Sequence, residues 1–116
     1  MEIVWSQLAY EQLLGILTYV EDNFGALVAQ KTHQKIQNKV NLLTKYPQIG
    51  IIDSDFSILF NGLDVRHLKL SPNVIYYLID KDRIVIAAIL HSKQSPETIR
   101  NMISDFLKQY KKFIFY

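Results

Sequence analysis

The sequence predicts an α+β domain in which a helical hairpin packs on a small, mainly antiparallel sheet, with an extra helix at the C-terminus. Three observations carry that prediction. Residues 7–24 and 26–46 each repeat apolar side chains every three or four positions and are separated only by a short break. Two strand-like apolar runs, 74–79 and 84–90, are joined by the polar turn Asp80-Lys81-Asp82-Arg83 and preceded by a basic, alternating segment. A third helical stretch begins at Ser95-Pro96-Glu97. The order is β-αα-βββ-α, for which a helical hairpin on one sheet face is the economical packing.

Glu2-Ile3-Val4-Trp5 is β-branched and aromatic, as a strand requires, and Ser6 offers a side-chain oxygen as N-cap to the helix behind it. Ala9, Leu13, Ile16, Leu17, Val20 and Phe24 then form one apolar face. Gly15 costs this helix roughly 1 kcal/mol relative to Ala, so a closely packed neighbour is expected beside it. Asp22-Asn23-Phe24-Gly25 breaks the pattern. The second helix carries Ala26, Ala29, His33, Ile36, Val40 and Leu43 on one face, the spacing of an antiparallel helical pair. Pro47 ends it by lacking the amide donor and disfavouring helical geometry at Tyr46.

Residues 48–64 are loop-like, with Gly50, Asp53, Ser54, Asp55, Asn61 and Gly62, although 56–60 has the composition of a short edge strand. Seventeen residues is long for a structureless connection, so the segment either contains that strand or has a function, and the sequence leaves both open. Over 65–70, alternation puts Val65, His67 and Lys69 on one face and Arg66, Leu68 and Leu70 on the other. Ser71-Pro72-Asn73 is turn chemistry. The run 84–90 lacks polar alternation, the mark of a central strand covered on both faces. Ser95, Pro96 and Glu97 combine a capping hydroxyl, Pro at the first helical position and a first-turn acid. Ile99, Met102, Ile103, Phe106, Leu107 and Tyr110 continue as a regular apolar stripe. Phe113-Ile114-Phe115-Tyr116 is unusual for a solvated terminus, and docking on this domain, on a partner or on a second copy is expected.

With 116 residues the chain is long enough for one core and not for two. It contains no cysteine, which excludes disulfides, thiolate zinc sites and a cysteine nucleophile. The longest apolar run is far short of a membrane span, and no signal-peptide pattern follows Glu2, so a cytoplasmic protein without membrane association is expected. Residues 1–30 hold four acids and no Lys or Arg, a formal −4; residues 31–116 hold all 13 bases against seven acids, a formal +6. Such asymmetry fits a basic surface facing a polyanion or an acidic partner, or a merely solvated exterior.

The short first strand, Leu42-Leu43 with Pro47 and Gly50, Arg66-x-Leu68-x-Leu70, Tyr76-Tyr77 with Asp80, and Leu90-His91-Ser92-Lys93-Gln94-x-Pro96 together resemble the RelE/ParE toxin superfamily. The resemblance covers residues 1–97, with 98–116 as a C-terminal helical extension of the same domain. It implies a toxin of a type II toxin-antitoxin, or plasmid stabilisation, module, neutralised by a cognate antitoxin whose unfolded segment folds as it binds. RelE-like members are ribosome-dependent mRNA endonucleases; ParE-like members share the fold and inhibit DNA gyrase.

The nuclease chemistry needs a group to deprotonate a ribose hydroxyl, cations for the phosphate and a donor for the leaving oxygen. Carried over by position, the paired lysines of RelE-like toxins fall on His67 and Lys69. The next arginine falls near Asn73, the last-strand arginine on Lys93 and the tyrosine near Ile99. Two positions are lost and two changed, since Lys93 lacks the planar guanidinium fork. The resemblance therefore favours the ParE branch, a binding inhibitor. An altered-site endonuclease using His67, Lys69 and Lys93, or a non-toxic interaction domain of the same fold, are the alternatives.

Candidate binding residues are Arg66, His91, Lys93, Gln94, Phe106 and Tyr110, with gyrase or the ribosome and mRNA as targets and a homodimer as a further expectation. Several of the residues singled out have a plainer reading. His67 and Lys69 also suit an ordinary polar strand face, His91 a strand-end cap, and Lys31, Lys35 and Lys39 a solvated helix face. His33 fits a core histidine, and one of Tyr76 and Tyr77 must point into the core. Three scattered histidines make no metal site, and no cofactor is expected.

Overall fold

The computed structural model describes the backbone of residues 1–59 and 63–114 and the side chains of 1–57 and 63–110. Its elements run β1 (Glu2–Trp5), α1 (Gln7–Phe24), α2 (Ala26–Lys45), β2 (Ile51–Ile52), α3 (Ser54–Leu59), β3 (Asp64–Leu70), β4 (Asn73–Asp80), β5 (Arg83–His91) and α4 (Pro96–Ile114). Five strands form one sheet in the order β1-β5-β4-β3-β2. Every pairing is antiparallel except β1 with β5, so the mainly antiparallel sheet is as expected.

Local chemistry accounts for the helical hairpin. The Ser6 hydroxyl accepts from the Ala9 amide at 2.9 Å and donates to the Ala87 carbonyl at 2.9 Å, so one residue caps α1 and ties it to β5. Gly25, with φ +93°, ends α1 and starts α2, a backbone geometry that only glycine adopts without strain. The hairpin covers one sheet face. There Ala9, Leu13, Ile36, Val40 and Leu43 meet Leu68, Ile75, Tyr77, Ile84, Ile86 and Ile89.

The opposite face is covered by α3 and α4, where Phe56, Ile103 and Leu107 pack on Val65, Leu78, Val85, Ala87, Ala88 and Leu90. With both faces filled, β5 is buried from Ile84 to Leu90, the reason its sequence shows no polar alternation. A bulge between Tyr76 and Tyr77 helps: Tyr76 pairs with Ala88 and Tyr77 with Ile86, leaving Ala87 as the extra residue.

Two expectations are corrected. The edge strand falls on Ile51–Ile52, while 54–59 is helical. Asp53 explains the helix: its carboxylate accepts from the Phe56 amide at 3.2 Å and its carbonyl from Ser57 at 3.0 Å, an N-cap that turns the chain and drops Phe56 into the second core. Position 60 of the expected strand lies outside the described residues. The second correction concerns Gly15. A Cβ built there meets nothing within 4 Å, so no neighbour in this chain uses the space.

Candidate functional site

Two concavities lie near the end of β5. The larger, about 670 Å³, lies where α1 and α2 diverge from the ends of β4 and β5. Its walls are Gly15, Ile16, Tyr19, Val20 and Phe24 of α1, Val28 and Thr32 of α2, and Asn73, Ile89, Leu90 and His91 of the strands. Tyr19 and Phe24 are each 62% exposed, so their rings stand at the mouth of an apolar groove and are not spent on the core.

The groove exists because β1 is short. It pairs only with Arg83–Ile86, and beyond that point the outer flank of β5 has no strand beside it. Side chains cover part of the flank: Gln12 Oε1 accepts from the Ile89 amide at 2.8 Å, while Gln12 Nε2 lies 3.1 Å from Met102 Sδ on α4.

The smaller concavity, about 310 Å³, opens on the second face between α3, the turn after β5 and the start of α4. Tyr76 and Phe56 line it with Asp53, Asp55, Ile99 and Arg100. Burial, reinforced by the Asp53 charge, pushes the Tyr76 phenol above its ordinary range, so it stays protonated at neutral pH. His67 stacks obliquely on Tyr76 at 5.7 Å, and its Nδ1 is buried without a hydrogen-bond partner among the described residues.

The sequence candidates divide between these places and the framework. His67 and Lys69 do share the second face, but Lys69 is exposed and neither it nor Lys93 lines the recess beside Tyr76. Lys93 is exposed in the turn after β5, its amide donating to His91 Nδ1 at 3.1 Å. His91 and Gln94 both line the apolar groove, and Gln94 also reaches the recess.

Arg66 is engaged within the fold. Its guanidinium pairs with Asp64 at 2.9 Å and donates to the Gln48 and Gly50 carbonyls at 3.2 and 3.1 Å, pinning the segment that follows α2. Phe106 and Tyr110 stack at 6.0 Å against the second core. The Tyr110 hydroxyl bonds to the Asp80 carboxylate and accepts from Arg83 at 3.1 Å, clamping α4 to the β4–β5 turn. The Tyr110 bond, with help from Arg83, holds the Asp80 carboxyl below its usual range. Side chains 113–116, the expected docking tail, lie outside the described residues.

Neither concavity was anticipated from the sequence, although Gly15, a helix-interior glycine with no turn to make, was a usable signal for the groove. The recess had none, because Asp53, Tyr76 and Arg100 come together only through the packing of α3 and α4. Among the described residues no group of three His, Asp or Glu side chains could hold a metal ion.

A family model described as ParE toxin of type II toxin-antitoxin system, parDE, matches residues 3–96. Among solved structures, a chain of the "Chromosomal ParDE TA system from P. aeruginosa" is similar with a TM-score of 0.61 at 21% identity. That match covers 78% of this chain and 95% of the other, a likeness of fold. No curated protein matches the sequence.

Proposed function

Since the chain belongs to the ParE toxins of type II toxin-antitoxin systems, we propose that it arrests growth by binding and inhibiting DNA gyrase, and that a cognate antitoxin neutralises it. The observation that carries this reading is that the candidate nuclease cations are not gathered: Lys69 and Lys93 are both exposed, and neither lines the recess that Tyr76 forms. Asp53 and Asp55 stand beside Tyr76 in that recess, with Arg100 as the one cation among the lining residues; Ile99 lines it without a charge, and Asn73 lies apart on the apolar groove. Two carboxylates repel a phosphodiester, whereas cleavage requires cations gathered around it. A toxin without that cluster acts through its surface. Gyrase is cytoplasmic, which makes the cytoplasm the proposed compartment; no described helix is long and apolar enough to cross a membrane.

The test is to induce the protein alone in bacteria and follow pulse incorporation of labelled thymidine and methionine. DNA synthesis failing first, with loss of plasmid supercoiling by purified gyrase on adding the toxin, is the expected result. One observation favours the second reading, ribosome-dependent mRNA cleavage: the unpartnered Nδ1 of His67 beside Tyr76. Protein synthesis failing first, and this effect disappearing in His67→Phe, would transfer the function to that reading.

A further inference from the structure

The sheet ends on one side at β2, which pairs with β3 through Ile51 and Ile52 and has no strand on its other flank. The Asp53 amide donates to the Val65 carbonyl at 2.7 Å, so Ile51, two residues earlier in the antiparallel ladder, also turns its amide and carbonyl toward β3. Ile52, between them, turns both groups outward. Neither has a hydrogen-bond partner among the described residues.

Free edges are ordinarily blunted by charge. The flank of β3 that β2 leaves uncovered is protected in this way by Lys69. β2 is not: no charged residue occurs from Tyr46 to Ile52. Tyr46, Ile49, Ile51 and Ile52, with Leu42 one helical turn before them, are each 43–58% exposed. The two β2 side chains stand on opposite faces of the sheet.

We infer that two copies of this chain join edge to edge at β2, antiparallel about a twofold axis beside Ile52, so that the Ile52 amide of each copy donates to the Ile52 carbonyl of the other. The pairing is self-complementary, as a twofold interface must be. It satisfies both outward groups and consumes the edge in both copies, so assembly stops at two. In this register Asp53 comes opposite the uncharged Ile51 of the second copy, and no like charges face each other. An acidic or basic peptide strand is the poorer occupant, because the segment from Tyr46 to Ile52 offers it no opposite charge. Large side chains about half exposed, taken together, present roughly 400–500 Å² per copy, some half of the ~800 Å² that each partner buries in a stable complex. The dimer is therefore a weak one that depends on concentration.

The absence of cysteine allows a register-specific test on the full chain. Residues paired across neighbouring strands lie about 5.5 Å apart, within disulfide reach, whereas the two copies of Ile51 fall on a diagonal of about 7–8 Å, beyond it. Ile52→Cys under mild oxidation is expected to give a covalent dimer, while Ile51→Cys and Gln37→Cys, on the exposed side of α2, stay monomeric. By sedimentation equilibrium the wild type is expected to pass from monomer toward dimer mass between about 1 and 100 µM. Ile52→Lys, checked by circular dichroism for an intact fold, sets like charges opposite each other and weakens association by about 10-fold or more.

A wild type that stays monomeric at about 100 µM, with Ile52→Cys no more readily cross-linked than Gln37→Cys, overturns the inference. Dimers that form equally well in Ile52→Lys, or that cross-link at position 51 in preference to 52, put the contact elsewhere and also overturn it. A monomeric toxin whose position 52 is shielded from a maleimide dye only on adding the protein encoded by the adjoining reading frame would make that partner the occupant. The inference would then fall while the toxin reading stood.

Discussion

The Tyr77 hydroxyl lies against Gly50 so closely that a Cβ on the glycine would come within 2.6 Å of it and 2.9 Å of the His67 carbonyl. Tyr77 is fully buried, donates to the Pro47 carbonyl at 2.8 Å and accepts from the Gly50 amide at 2.9 Å. The proline that ends α2, the glycine after it and the tyrosine of β4 are thus one contact. This contact sets where the chain turns from the hairpin to the sheet edge.

Gly50→Ala is expected to destabilise the fold by about 1–3 kcal/mol, because one of the clashing atoms is backbone and cannot swing aside. Tyr77→Phe leaves a buried amide and a carbonyl unpaired, at a similar cost of about 1–3 kcal/mol. Urea unfolding followed by circular dichroism measures both. A midpoint within error of the wild type for either variant would contradict this account of the corner.

Gly15→Ala is expected to act in the opposite direction. The methyl group enters open space, and Ala is favoured over Gly in a helix interior by about 1 kcal/mol. The unfolding midpoint rises. A fall would mean that the glycine serves the fold of α1 itself.

Arg66→Lys keeps the charge and loses the fork that reaches Asp64, Gln48 and Gly50 together. The expected loss is about 1–2 kcal/mol, with faster hydrogen exchange confined to the segment between α2 and β3. Since the side chain is engaged within the fold, a variant that loses gyrase inhibition with unchanged stability would show that Arg66 also meets the target.

The clamp between Asp80 and Tyr110 predicts a pH dependence. Asp80 titrates lower in the folded chain than in the unfolded one, so its contribution is present above the usual carboxylate range and is lost as pH falls through the depressed folded value. Burial first, and then the bond to Asp80, raise Tyr110; its share is complete below the usual tyrosine range and fades as pH rises through the raised value. Tyr110→Phe should therefore be less stable than the wild type at neutral pH, by about 1–2 kcal/mol. The gap should narrow in acid, where protonated Asp80 no longer needs the bond. An equal gap at every pH would remove the clamp from the explanation.

The linear pattern was enough to determine α1, α2, the β3–β5 meander and α4. Each rests on local causes, such as the Ser6 cap, the Pro47 stop, the continuous apolar run of β5 and the stripe from Ile99 to Tyr110. Pairing His67 with Lys69 on one face was likewise legible, because alternation along a strand is a local property. Tertiary structure alone decided the rest. Asp53 made a helix out of residues that look like a strand, Arg66 was taken up by carbonyls 16 and 18 positions earlier in the chain, and Tyr110 was joined to Asp80 across thirty residues. The groove at Gly15 depends on β1 stopping at Trp5 while β5 continues to His91. The physical reason is range. Caps, turns and periodicity act within one or two helical turns, whereas a cavity is what remains after distant surfaces have packed, and no single segment encodes it.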